Sequence, residues 1–291
     1  MNLYLQFLID AVLASGTYAL MSLGLSLSLG VTRILNFTHG EAVMLAAYGA
    51  FWPFFLFAVD PLLALPAIVL LAFVAGACLF RFALQDMIKA PHFNQILLTF
   101  GIALVLQNAA IILWHGDLRS ATPDYALEAI DLGFAFIPVG RLMGFALASI
   151  LSASLFVWLR YTFAGRAVRA LAEHRDAAAL MGIDVLKTYR VSFGISTALA
   201  AASGVILSMI SPISPFLGLS ALIKSIEIVV LGGIGSLLGT ILGAVILGIA
   251  ETAVAYFVPD GSGWAPGVGF ALLFLILILR PRGLRGQAVE I

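Results

Sequence analysis

The stretch YTFAGRAVRALAEHRDAAALMGIDVLKTYR, residues 161–190, is the one long charged interruption of this chain that also carries a helical pattern. Arg166, Arg169, Arg175, Lys187 and Arg190 lie in it, with Arg160 just before, and nowhere else are cations so dense. Apolar Ala167, Val168, Leu171, Ala178, Leu180 and Met181 are interleaved with polar Arg166, Arg169, Glu173, Arg175 and Asp176. That spacing suits one amphipathic helix or two short ones. Gly182, followed by Asp184, reads as a helix stop. Long apolar runs flank the stretch on both sides, so it is a loop between membrane spans, and Lys and Arg beside spans hold such a loop in the cytoplasm.

Outward from it, 62% of the 291 residues are hydrophobic and only 10% charged, with a mean hydropathy of +1.11. Soluble domains carry about 25% charged residues. Apolar runs fall at 6–29, 40–59, 62–80, 95–114, 138–159, 191–210, 219–235, 238–257 and 265–280. Most can cross about 30 Å of hydrocarbon at about 1.5 Å per residue. The expected fold is therefore an all-α polytopic bundle of about 8–10 membrane segments, discontinuous or re-entrant elements included. The run 219–235 is short, holds Lys224, Glu227 and three glycines, and reads either as a short span or as a re-entrant element. The runs are continuous rather than alternating, which disfavours a β-barrel.

Twelve of the fifteen Lys and Arg fall in alternate loops: Arg33, Arg81, Lys89, the six from Arg160 to Arg190, and Arg280, Arg282 and Arg285. The other loops are acidic, with Asp117, Asp124, Glu128, Asp131 and Asp260. The expected topology is multi-pass, N-terminus outside and C-terminus cytoplasmic. The N-terminus lacks the cations and cleavage site of a signal peptide, so the first run is expected to stay as a span. Zero net charge makes no case for a nucleic-acid partner. Cys78, alone in an apolar run, is expected to be a packed thiol. One membrane domain over 1–291 is expected, with its charged cytoplasmic loop at about 160–190.

No catalytic or metal constellation assembles. HExxH is absent, and His39, His92, His115 and His174 fall at different expected depths. A Ser236–His39 dyad is disfavoured because Leu, not Gly, follows Ser236. GxxxxGK[ST] is absent too, so any ATP would be hydrolysed on another chain.

Five pieces resemble one family in the right order. Asp176-Ala-Ala, three residues, then Gly182 resembles the Glu-Ala-Ala-x-x-x-Gly loop of ABC importer permeases, with Asp in place of Glu. The string GRAVRALAEHRDAAALMGIDV resembles the cytoplasmic loop of LivH-type permeases of branched-chain amino acid importers. RILNFTHGE at 33–41, the Thr99 to Asn108 segment, GGIGS at 232–236 with Gly239 and Gly243, and RPRG at 280–283 resemble further motifs of that family. The resemblance implies a second homologous permease subunit, two cytoplasmic ATPase subunits and an external solute-binding protein. It implies a bacterial inner membrane, ATP and Mg on the ATPases and no cofactor on this chain. It makes Gly165, Arg166, Arg169, Asp176, Ala177, Ala178 and Gly182 the ATPase-coupling loop.

Two polar, glycine-bearing interruptions are the pathway candidates: Asn36, Thr38, His39, Gly40 and Glu41, and Gly232, Gly233, Gly235 and Ser236. Broken helices expose half-helix ends that can face a solute route. Gly239 and Gly243 are read as helix packing. Among charges inside runs, Lys224 and Glu227 are expected to pair on one helix face, and Glu251 to lack a local partner. The route is expected to be mainly apolar, with selectivity left to the binding protein. The leading solutes are branched-chain or other hydrophobic amino acids; urea, short amides and small organic acids are the alternative. An ion-coupled carrier or an intramembrane enzyme is the reading from other classes.

Overall fold

The structure is a computed structural model that describes residues 2–88 and 90–286. Lys89 therefore lies outside the described residues, as do 287–291. The apolar runs become helices α1 (Leu3–Thr32), α2 (Thr38–Phe57), α3 (Pro61–Leu79), α4 (His92–Trp114), α6 (Val139–Tyr161), α9 (Val185–Ile210), α10 (Leu217–Gly232), α11 (Leu237–Phe257) and α12 (Gly261–Leu279). Eight of these segments are long and apolar enough to span a membrane; α10, at 16 residues, is the short one. Between them lie α5 (Asp124–Leu127), α7 (Phe163–Glu173), α8 (Arg175–Leu180) and a hairpin of β1 (Ala129–Asp131) and β2 (Phe136–Pro138).

Local chemistry sets the helix ends. Asp60 accepts from Leu62 N at 2.7 Å with Pro61 in the first turn, Thr162 accepts from Gly165 N at 3.0 Å, and Asp184 accepts from Lys187 N at 2.9 Å. Each cap supplies an acceptor to an amide that has no partner within its helix.

Helices α1, α2 and α9 form the centre, and α3, α4 and α12 the periphery. Lipid is as apolar as the core, so close backbone packing rather than hydrophobicity binds the central helices. A Cβ on Gly24 of α1 would stand 2.7 Å from Ser196 O of α9, and Ser196 Oγ donates to Gly24 O at 2.7 Å. Cys78 does not pack inside as expected: it is exposed on α3. A thiol is apolar enough that a lipid-facing position costs it little.

The loops sort into two ends, as the charge pattern predicts. At the basic end, Val168 and Leu171 share a core with Leu27, Val31, Phe80 and Leu84, and Arg190 Nη2 donates to Gln85 Oε1 at 3.3 Å. Gly235 lies against Gly30, and the C-terminal turn bonds to the end of α10. At the acidic end, Asn2 N donates to Phe134 O at 2.9 Å, Tyr125 OH donates to Asp60 at 3.0 Å, and Arg119 bridges to Ile213. Tyr4 lies 5.7 Å from Phe257, bringing in the α11–α12 turn. Burial and the Asp60 contact raise the pKa of Tyr125.

Candidate translocation pathway and coupling surface

The segment 33–41 is built as a helix break inside the bundle. Arg33 ends α1 in the left-handed region (φ 56°). The chain then runs back along α4, with Thr99 Oγ1 donating to Leu35 O at 3.2 Å and Phe37 edge-on to Phe100. Asn36 Oδ1 accepts from Thr38 N (3.0 Å) and Thr38 Oγ1 (2.6 Å), which turns the chain into α2. His39 Nε2 lies 2.9 Å from Met21 O, a contact to a carbonyl that places the ring proton on Nε2. Met21 is 11 residues before the end of α1. That is about 16 Å of helix, so α2 begins well inside the bundle.

Asn36, Thr38, His39 and Glu41 are all buried. Gly40 packs on Gly218 and Leu222 of α10, and a Cβ on Gly218 would stand 2.7 Å from the Glu41 carboxylate. His39 Nδ1 and Glu41 Oε2 have no hydrogen-bond partner among the described residues. Four helices thus meet at a polar junction in which two acceptors stay unsatisfied, and such buried orphan acceptors are costly enough to call for an explanation.

The second candidate break is placed elsewhere. Residues 233–236 form the α10–α11 turn at the basic end, with Gly233 at φ 103° and Gly235 at φ 81°. Ser236 caps α11 by accepting from Gly239 N at 3.1 Å. Leu284 N and Arg285 N donate to Leu231 O and Gly232 O, both at 3.0 Å, which satisfies the last carbonyls of α10. A Cβ on Gly233 would collide with Gly286, so the RPRG turn needs glycine there. Gly239 and Gly243 lie against the backbone of α10. The 36–41 junction meets α10 at its start and this turn lies at its other end, about 20 Å of helix away. His39 and Ser236 bond to other groups and make no dyad.

The residues expected to couple to an ATPase lie on a largely exposed platform. In α7, Val168 and Leu171 are buried while Arg166 and Arg169 face outward. Gly165 is buried against the backbone of Trp158 and Leu159, where it lets α7 fold onto the end of α6. In α8 only Ala178 is buried; Asp176, Ala177 and Gly182 are exposed, with Leu180 at 89% and Met181 at 84%. Gly182 N donates to Ala179 O (3.0 Å) and Ile183 N to Ala178 O (3.2 Å) with Gly182 at φ 85°. This is a Schellman stop, whose left-handed residue strains any side chain.

The pairing expected within α10 is corrected. Lys224 Nζ lies 2.8 Å from both Glu251 oxygens and 3.1 Å from Tyr18 OH, which itself donates to Glu251 at 2.7 Å. All three ammonium donors are thereby used. Glu227 turns to α12, where a Cβ on Gly269 would lie 2.9 Å from its Cδ. A partner across helices offers two oxygens and a phenol, which a neighbour three residues along does not. Sequence reading also passed over Asp10, Gln6, Arg141 and Tyr256, which interact at the acidic end. Asp10 and Arg141, charges near run ends, were the available signal.

The fold is that of a polytopic helical membrane protein. A model of the family described as "Branched-chain amino acid transport system / permease component" matches residues 7–279, and the chain belongs to that family. It is 31% identical, over 98% of its length and 96% of the relative's, to the high-affinity branched-chain amino acid transport system permease protein BraD of Pseudomonas aeruginosa. It is 30% identical over the same shares to LivH of Escherichia coli K12, a permease protein of the same description. The ribose import permease protein RbsC of Haemophilus influenzae is 28% identical over 96% of this chain and 83% of its own. No solved structure matches.

Proposed function

We propose that this chain, with a second homologous permease subunit, forms the membrane pathway of an ATP-driven importer for branched-chain or other hydrophobic amino acids. Cytoplasmic ATPases dock on α8, and an external binding protein delivers the solute at the acidic end. The observation that carries the coupling role is the platform itself. Leu180 and Met181 are almost fully exposed on a short helix that is rigidly stopped by Gly182. Exposed apolar side chains on a charged loop fit a partner's groove better than water. The basic end is then cytoplasmic, in line with the positive-inside rule. Closure of the ATPases on ATP moves α8, and α7 passes the motion to α1, α6 and α9, on which it packs.

The pathway reading assigns the junction at Asn36, Thr38, His39, Gly40 and Glu41 as the polar point of the route. Its unsatisfied acceptors are available to a solute's donors once the helices part. Gly232, Gly233, Gly235 and Ser236 serve as the hinge that joins α10 and α11 at the cytoplasmic end. The test is uptake into proteoliposomes holding both permeases and ATPases, with loaded binding protein outside. Leucine and valine should enter with ATP hydrolysis. Uptake of ribose or urea in their place would overturn the choice of solute, and uptake without ATP the importer class.

A further inference from the structure

At the acidic end a cavity of about 290 Å³ opens between residues 120–127, the start of α6 and the end of α9. Met209, Ile210 and Leu127 give it an apolar wall, Ser120 and Thr122 bring hydroxyls, and Arg141 supplies the one charge. The arginine is held in place. Its Nη1 donates to Asp10 Oδ1 at 3.2 Å. Asp10 is buried and also accepts from Gln6 Nε2 at 3.2 Å and from the Tyr256 hydroxyl. Gln6 is in turn pinned to the hairpin, donating to Phe136 O at 2.9 Å and accepting from Phe136 N at 2.8 Å. Groups from α1, α11 and β2 therefore orient one guanidinium.

Only one nitrogen of that guanidinium is engaged among the described residues, and its side chain is 49% exposed. A guanidinium offers five N–H donors in a rigid fork suited to a carboxylate. No Asp or Glu lines the cavity, so no counter-charge there is matched to an ammonium group. Ligand pockets usually begin near 300 Å³, so this one suits a small molecule. An apolar wall facing a cation fits a small carboxylate with an apolar tail.

We propose that this cavity is a weak receiving site for the solute's carboxylate, with Arg141 as its anion-binding residue. The site rests on the amino-acid importer reading and narrows it: the carboxylate and the apolar tail are recognised here, the amine is not. Binding is weak because Arg141 shares its charge with Asp10 and stays half in water. A charged residue at the mouth departs from the expectation of a mainly apolar route.

The experiment uses the complete importer in nanodiscs, with Cys78→Ala and Ser120→Cys, and an impermeant maleimide. Leucine and isovalerate should each slow labelling about fivefold at about four times their dissociation constant, because protection follows 1 + [L]/Kd. Isovaleramide, with the same tail and no carboxylate, should not. Arg141→Gln should remove the protection and Arg141→Lys keep part of it. Thr122→Trp fills the cavity, leaves the Asp10 contact intact, and should also remove protection, which covers the case in which Arg141→Gln loosens the fold. Equal protection by isovaleramide, or protection surviving both variants, would overturn the site. So would protection by the unloaded binding protein alone, which would make a carboxylate of that protein the ligand. Stimulation of ATP hydrolysis by the binding protein, measured on the same sample, reads the importer assignment separately. Its absence beside intact carboxylate protection would sink that assignment and not the site.

Discussion

Two polar interruptions of the apolar chain have opposite fates. Residues 36–41 are sealed among α1, α2, α4 and α10, whereas residues 175–182 stand out from the basic end. Both hold glycine, an acidic residue and a histidine beside or within them. Connection length separates them. Five residues join α1 to α2, so the polar atoms are drawn back into the bundle with the chain. The α6–α9 connection is long enough to form its own two helices and leave the membrane. The contrast teaches that a polar break in a membrane chain is stabilising scaffold or partner surface according to depth. Substitutions in the interior should therefore act on folding, and those on the platform on coupling.

The largest effect should come from the interior. Lys224→Met leaves the buried Glu251 without its counter-charge, holding only the Tyr18 hydroxyl, which should cost about 3–5 kcal/mol. Thermal unfolding of the purified complex measures it, and Lys224→Met with Glu251→Leu should recover most of the loss. An unchanged Tm for the single variant would erase the contrast between the two regions.

Gly182→Leu should abolish transport and loosen ATPase binding at a stability cost of about 1 kcal/mol, because the site is open space and only φ is strained. Co-purification with the ATPases and leucine uptake read the two effects. Normal uptake would remove the docking role from α8.

Asn36→Ala deletes the acceptor that turns the chain into α2 and should lower stability by about 1 kcal/mol. A much larger loss would mean that Asn36 also holds the unsatisfied His39–Glu41 junction together.

The smallest perturbation is a label. In a Cys78→Ala background, an impermeant maleimide outside cells should modify Asp124→Cys and leave His174→Cys untouched. Both sites are exposed, so neither variant should affect folding. Labelling at 174 would reverse the orientation of the whole molecule.

Much of the fold was legible in the chain. Hydropathy runs and the alternation of Arg33, Arg81 and the 160–190 cations placed every long helix and sorted the loops between two ends. Gly182 announced a helix stop, and the stop formed as read, while Asp184 went on to cap the next helix, a role not read from it. These are local properties: a span needs only its own residues to satisfy its backbone in lipid, and a cap needs only the next turn. Tertiary structure alone decided the rest. Lys224 found Glu251 and Tyr18, which lie 27 and 206 residues away, over Glu227 three residues along. Cys78 turned to the periphery because lipid and core are alike to a thiol. The depth of Asn36, Thr38, His39 and Glu41 and the network that aims Arg141 both depend on which helices cross and how closely. In a bilayer, backbone packing at positions such as Gly24, Gly40 and Gly218 sets those crossings, and hydrophobic pattern does not distinguish among them.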